Sequence, residues 1–278
     1  MYEVIVLFAL GLVWIFFASV QDLKSREVAN WINFSLIIFA LGFRFFYSLF
    51  SEDFSFLIQG LLGLVIFFIV GILLYYSRMF AGGDTKLMIS LGTILPFSGV
   101  FAENLKIFIL FIILFLFSGA IYGLIMTLIL SFKNFKKFKK EFLYILKNNK
   151  RILFSIMSIG ILLLVLGFFE TLFFPLGILV FIFPYFYFYA KAVDNSCMVR
   201  EMNVKDLTEG EWLYKPIKTG KKIIKPTWDG LTKQDIRAIR KKYKKIKIKQ
   251  GIVFIPVFLI AFLILSYIWK TGLWNTFW

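Results

Sequence analysis

Residues 56–76 read FLIQGLLGLVIFFIVGILLYY, a run without a single charge. Crossing the hydrocarbon core of a bilayer takes about 20 consecutive apolar residues in a helix, so this stretch reads as a transmembrane span. Seven further apolar runs lie at 4–21, 31–50, 87–100, 106–130, 152–169, 172–190 and 251–269, and the one at 87–100 is short and spotted with polar residues. The predicted fold is an all-α polytopic membrane protein of about eight transmembrane helices, with a small cytoplasmic segment before the last helix. Seven spans is the rival count, because only Glu170 and Thr171 separate the runs at 152–169 and 172–190.

Of the 278 residues, 60% are hydrophobic and 17% charged, with no His and one Cys. Without an imidazole there is no Ser-His-Asp hydrolysis, no HExxH zinc proteolysis and no His-ligated haem. A lone Cys excludes an internal disulfide and a multi-Cys zinc module. The formal net charge of +16 suits either nucleic acid or anionic lipid, and its placement decides between them. With eight helices and the N-terminus outside, the segments 22–30, 77–86, 131–151 and 191–250 share one side. They hold 29 of the 32 Lys and Arg, while Glu3, Glu52, Asp53, Glu103 and Glu170 fall on the other side. Lys and Arg accumulate on cytoplasmic loops, so the basic side is predicted to be cytoplasmic and both termini extracellular.

Several local readings accompany this topology. Met1–Val20 has no basic residue ahead of its apolar stretch, so it reads as a retained first helix, not a cleaved signal peptide. Arg44, inside the second run, is expected to snorkel outward toward Glu52 and Asp53 and is given no role. Thr232 and Asp235 have capping-box spacing and predict a helix reaching Tyr243. The basic run Arg240–Lys247 then leads into the last span and is expected to hold anionic lipid headgroups. No aromatic platform or reading motif for nucleic acid accompanies it.

Two carboxylates stand apart from the rest. Asp22 ends the first run in Ala18-Ser19-Val20-Gln21-Asp22-Leu23-Lys24, and Asp84 follows the third in Met79-Phe80-Ala81-Gly82-Gly83-Asp84-Thr85-Lys86. The topology puts both at the cytoplasmic membrane boundary. Two adjacent carboxylates cannot both ionise cheaply, so one serves as acid while the other activates water. Gly82 and Gly83 offer a turn without side chains beside Asp84. The residues alone leave a second reading open: Asp84 caps a helix starting at Thr85, and Asp22 merely ends a span.

The segment Asp22-Leu23-Lys24-Ser25-Arg26-Glu27-Val28-Ala29-Asn30, followed by Gly82-Gly83-Asp84-Thr85-Lys86-Leu87, resembles the archaeal type IV prepilin and preflagellin peptidases, GxGD-type intramembrane aspartyl proteases. The resemblance covers residues 5–130 firmly and the remainder loosely. It implies Asp22 and Asp84 as the catalytic pair, with Lys24, Glu27, Asn30, Gly82, Gly83 and Lys86 binding substrate or supporting the dyad. It also implies an aspartic endopeptidase without metal or cofactor. Its substrates would be precursor proteins with a short basic leader and a hydrophobic helix, cut at the cytoplasmic face of the cell membrane. Two departures stand out. Ala81 occupies the first Gly of the GxGD pattern and Ala29 the usual Pro, and a positive φ at 81 would be disfavoured. Cys197 alone rules out the zinc domain common in bacterial members, which favours the archaeal branch.

The implied organisation is a catalytic membrane core at 1–130, a basic cytoplasmic loop at 131–151, two helices at 152–190, a basic cytoplasmic domain at 191–250, and a last helix and tail at 251–278. Asp22, Glu27 and Asp84 are expected to form an acidic entrance for the leader. Helix dipoles predict that Asp22, at a helix C-terminus, takes the first proton and that Asp84, at an N-terminus, carries the charge. A transporter would use spans with buried charges and broken helices, but only Arg44 lies plainly inside a span and no repeat is evident; a non-enzymatic scaffold of a surface-filament machine would place no demand on either aspartate. The sequence favours neither a flagellin-like nor a pilin-like client and carries no signal of oligomeric state.

Overall fold

The computed structural model describes residues 2–219 and 222–273. The chain is mainly helical, as expected, and its elements fall into two units, 1–123 with 252–278 and 124–251. In the first unit, α1 (Tyr2–Ser25), α2 (Asn30–Ser51) and α3 (Ser55–Tyr76) are followed by the short α4 (Gly82–Leu91). The long α5 (Phe101–Lys133) continues into the second unit. That unit also holds α6 (Phe135–Asn148), α7 (Lys150–Leu166) and α8 (Phe173–Ser196). Next come β1 (Val199–Asn203), β2 (Trp212–Leu213), β3 (Ile217–Thr219), β4 (Lys222–Ile224), α9 (Lys233–Arg240) and β5 (Lys245–Lys249). Finally α10 (Pro256–Thr271) returns to the first unit. The tail expected at 274–278 lies outside the described residues.

Five of the described helices, α1, α2, α3, α5 and α8, are long and apolar enough to cross a membrane, and α6 with α7, bent by 76° at their junction, make a sixth at most. The protein is a multi-pass membrane protein, but the expected eight spanning helices are not found. The run at 87–100 explains part of the difference. Ten residues of α4 rise only about 15 Å, half the roughly 30 Å thickness of a hydrocarbon core. After Leu91 the chain leaves the helix while residues 91–97 stay buried.

Non-helical backbone at membrane depth is tolerated only where protein groups satisfy its polar atoms. Arg44 supplies most of the donors. It is 0% exposed, donating from Nε to Thr93 O at 2.8 Å and from Nη1 to Phe56 O at 2.8 Å. Its Nη2 reaches the carbonyls of Ile94 and Pro96, and the guanidinium lies 4.2 Å from the Phe56 ring centroid. The snorkelling expected of Arg44 is therefore overturned: four inward carbonyls offer more than a distant interface. Buried Asn104 completes the segment, its Oδ1 accepting the Phe97 and Ser98 amides and its Nδ2 donating to Ser98 O and Gln59 Oε1.

Small residues let α3 and α4 touch backbone to backbone. A Cβ at Gly63 would lie 2.1 Å from Gly92 O, so no other residue fits there. Packing of this closeness is the main force between helices once lipid has replaced water. Around it, Leu7, Ile15, Leu36, Phe67, Leu87, Leu91, Phe111, Phe258 and Phe262 form the buried core of the unit.

In the second unit, the basic stretch at 131–151, expected as a loop, is largely α6. Phe138, Phe142 and Ile145 face α8 through Phe188 and Ala192, while Lys136, Lys137, Lys139 and Lys140 are exposed. Among the described residues, strands are confined to 199–249. The order β1-β5-β2 makes an antiparallel sheet and β3-β4 a hairpin, over a core including Leu213, Ile236, Ile239, Ile246 and Ile248. Thr232 caps α9 as predicted, Oγ1 accepting the Asp235 amide at 3.2 Å, but α9 stops at Arg240. The basic run beyond it forms β5, with Ile246 and Ile248 buried between exposed Lys245 and Lys247.

Replacing Arg44 by Met strands the carbonyls of Phe56, Thr93, Ile94 and Pro96. Hydrogen bonds from a charged donor contribute about 1.5–3 kcal/mol each, so a loss of at least about 3 kcal/mol is expected. Thermal melts of the detergent-solubilised protein measure it. Arg44→Lys should recover only part, because an ammonium cannot fan out to four acceptors.

Candidate active site

Asp22 occupies the last turn of α1 and is only 7% exposed. Its Oδ2 accepts the Ile255 amide at 3.2 Å, and the adjacent Phe254 amide joins the same cradle. Ile255 is the N-cap of α10 and Pro256 its first helical residue. The N-terminus of one helix thus faces a carboxylate at the C-terminus of another and favours its negative charge.

Asp84 is the third residue of α4, which begins at Gly82 and not at Thr85. Its Oδ2 accepts the Ala81 amide at 3.2 Å, half of a capping box. The capping expected as the plain reading is present, yet the same carboxyl also feels Asp22. Burial pushes Asp84 up to about 6, against the Ala81 hydrogen bond, and the negative charge of Asp22 adds to the rise. Burial therefore outweighs the helix dipole at Asp84, whose carboxyl is raised where the dipole alone would favour its charge.

The loop between α1 and α2 is tied to both aspartate segments. Lys86 Nζ donates to Asn30 Oδ1 at 2.6 Å, linking α4 to the start of α2. The Ala29 amide donates to Gln21 Oε1 at 3.0 Å, a bond that a proline could not make. Ala29 nevertheless has φ −63°, the angle a proline would impose. At Ala81 φ is −79°, so neither departure from the family pattern strains the backbone.

Among the other expected residues, Lys24 and Glu27 are exposed. The three carboxylates of the expected entrance thus grade from exposed Glu27 through half-buried Asp84 to buried Asp22. Gly82 has nothing within 4 Å of an added Cβ, and at Gly83 such an atom would lie 3.9 Å from Val28. Open space, not close helix packing, surrounds this pair. Sequence reasoning missed Ile255, whose partner lies 233 residues away. It also missed Tyr122 of α5, which lies within range of the Asp22 charge. Buried Ser19 and Asn33 were missed too, and their side-chain polar atoms have no hydrogen-bond partner among the described residues.

Residues 9–128 match the Type IV leader peptidase family. The resemblance read from the two aspartate segments is borne out. Three similar proteins are preflagellin peptidases: one from Methanocaldococcus jannaschii, 34% identical over 89 residues, one from Methanococcus maripaludis, 41% over 88, and one from Methanococcus voltae, 28% over 134. The aligned parts amount to 32%, 32% and 46% of this chain. They span 38%, 36% and 57% of the relatives' own lengths, under two thirds of each. No solved structure matches. The segment matching the leader peptidase family contains Asp22, Asn30, Gly82, Gly83, Asp84, Lys86 and Tyr122 but not Ile255, so the cradle of Asp22 reaches beyond it.

Gln21→Ala and Ala29→Pro both remove the hydrogen bond that anchors the loop after Asp22. Each should lower stability by about 1 kcal/mol. The double variant should lose little more than either single one, since both changes delete one interaction. Melting midpoints of the four proteins in detergent check this.

Proposed function

We propose that the protein is a membrane-embedded aspartic endopeptidase that removes the short basic leader from preflagellin or prepilin-like precursors at the cytoplasmic membrane face. The observation that carries this reading is the placement of Asp22 and Asp84, two carboxyls from separate helices near enough for the charge of one to act on the other, inside the segment that matches the leader peptidases. The names of the three relatives support the client class, and the Lys and Arg beside the two aspartates, Lys24, Arg26, Arg78 and Lys86, support the cytoplasmic face.

The chemistry follows from the different surroundings of the two groups. Asp22, cradled by backbone amides of 254–255, is the carboxylate that takes a proton from water. Asp84, raised by burial, is the acid that protonates the scissile carbonyl oxygen as water adds to its carbon. The resulting diol collapses when its C–N bond breaks: the proton taken up by Asp22 passes to the leaving amine, and one diol hydroxyl returns its proton to Asp84 as the new carbonyl forms. The space beside Gly82 and Gly83 lets an extended backbone approach Asp84. Lys24 in the last turn of α1 and Glu27 in the loop that leads to Asn30 are exposed and available to the leader. The two-faced character of α6, apolar toward α8 and basic outward, supports its lying at an anionic lipid surface.

Coexpression with a panel of basic-leader precursors tests the reading. Wild type should cut, and Asp22→Ala and Asp84→Ala should each abolish cleavage while inserting normally. Continued cleavage by the double variant would sink it. The pH dependence has a defined sign: the acid must be protonated, so kcat/KM should fall as pH rises through the Asp84 value of about 6, by about tenfold per further unit. A profile still rising through that range would reverse the assignment of acid and base.

A further inference from the structure

The sheet β1-β5-β2 has two unlike faces. Residues directly opposite in an antiparallel pair share a face. Leu213 is paired with Ile248, and both lie in the domain core with Ile246. Trp212 is paired with Lys249, so these two lie on the other face. Glu201 and Asn203 of β1 stand across from Lys247 and Lys245 on that same face, where both lysines are exposed. Tyr214 continues the alternation of β2, its amide donating to Lys247 O at 3.1 Å, and Lys215 Nζ lies 5.3 Å from the Tyr214 ring centroid. Trp212 donates from Nε1 to Trp228 O at 2.9 Å, the two indole rings have centroids 4.8 Å apart, and Trp228 is exposed. The face away from the core is therefore aromatic at one end and basic along β5.

The aromatic end is fastened to the membrane helix α8. Lys249, the partner of Trp212, forms an ion pair with Asp194 in the last turns of α8, and the Gln250 amide donates to Met198 O. Next to Asp194, Asn195 donates to Glu141 of α6 at 3.1 Å, so one turn of α8 holds both the sheet and the basic helix α6. Lys191 is the first charge of α8 and marks the end of its hydrocarbon stretch. Asp194, three residues on, stands about 4.5 Å further along the axis. The headgroup layer on each side of a hydrocarbon core is roughly 5–7 Å thick. Trp212 is thus held at headgroup level, the depth at which Trp and Tyr accumulate because their rings are apolar with one polar tip.

We propose that this face of the sheet is a membrane-docking surface, by which the domain at 199–249 rests on anionic lipid: Trp212 and Trp228 enter the interface beside α8, and Lys215, Lys245 and Lys247 take the lipid phosphates. Glu201, across from Lys247, offsets one of these cations and leaves the face net positive. Apolar insertion and cationic attraction reinforce each other, since one such signal alone gives only marginal binding. The linear run Arg240–Lys247 displays the cations only. Its aromatic complement comes from β2 and from residue 228, brought alongside by the register of the sheet. Single-stranded nucleic acid also uses cations and stacking rings, but the fastening to α8 keeps this face where lipid headgroups are always at hand. The inference rests on the membrane fold and stands apart from the endopeptidase reading.

The full chain in lipid nanodiscs provides the test, with lysine acetylation rates read by mass spectrometry. Discs of neutral phosphatidylcholine are compared with discs containing phosphatidylglycerol, and detergent micelles are run with and without oligouridylate. Lys215, Lys245 and Lys247 should react about fivefold more slowly in the anionic discs, the hold of an anionic surface on one lysine, and the difference should vanish at high salt. Lys233, exposed on α9 behind the opposite face of the sheet, should react equally in both. Lipids brominated near the headgroup should quench the emission of wild type more than that of Trp228→Phe, which keeps a ring in place. Equal rates for the three lysines in neutral and anionic discs would overturn the docking surface, and protection by oligouridylate alone would assign the face to nucleic acid instead. Equal quenching of wild type and Trp228→Phe would overturn the insertion of the indoles.

Discussion

The chain between Leu91 and Phe101 abandons helical geometry while residues 91–97 remain buried, and the carbonyls exposed by that break find their donors on Arg44. A buried guanidinium without a carboxylate partner is costly, and here the cost is offset by four backbone acceptors and an aromatic face. The arrangement lets a helix of only ten residues end inside the protein. It also anchors α2, the start of α3 and the segment after α4 to one side chain. With its far end held in this way and its face pressed on Gly63, α4 has little freedom, and Asp84 at its other end inherits that order.

Each aspartate is set by elements that the other does not use. Asp22 is placed by α1 but tuned by the amides before α10; Asp84 is placed by α4 and tuned by burial and by Asp22. The two carboxyls thus sit in different surroundings, one beside the N-terminus of α10 and one within the capping turn of α4. Lys86 and Asn30 and Gln21 and Ala29 close the loop around them. The match to the leader peptidases ends at residue 128, so the α10 contribution is a feature of the tertiary structure beyond the matched segment.

The second unit applies the same residue types differently. In α6 and β5 the lysines alternate with apolar residues at the period of the local structure, near 3.6 in one and 2 in the other, so each element buries one face and leaves the other basic. The Lys-Ile alternation at 245–249 was a strand signal already present in the sequence. A reading guided by charge alone overlooked it, because polybasic runs before a membrane span are more often taken as lipid contacts.

What the sequence by itself determined is the part that depends on composition and local order. Uncharged runs such as 56–76 have no stable place except lipid or a protein interior, so the helical membrane fold was legible. The Asp22 and Asp84 segments, with Asn30, Gly82, Gly83 and Lys86, carried the family resemblance without any coordinates. Thr232 capped its helix because a capping box is complete within four residues. What only the tertiary structure decided are the interactions between distant positions. Arg44 turned inward because three of its four acceptors come from 49 and more residues along the chain, which no window of sequence displays. The surroundings of the two carboxyls were likewise set at a distance: burial raises Asp84 against the dipole of its own helix, and the amide of Ile255, 233 residues on, meets Asp22. A local dipole is readable from sequence, whereas desolvation is a property of everything that packs around a group.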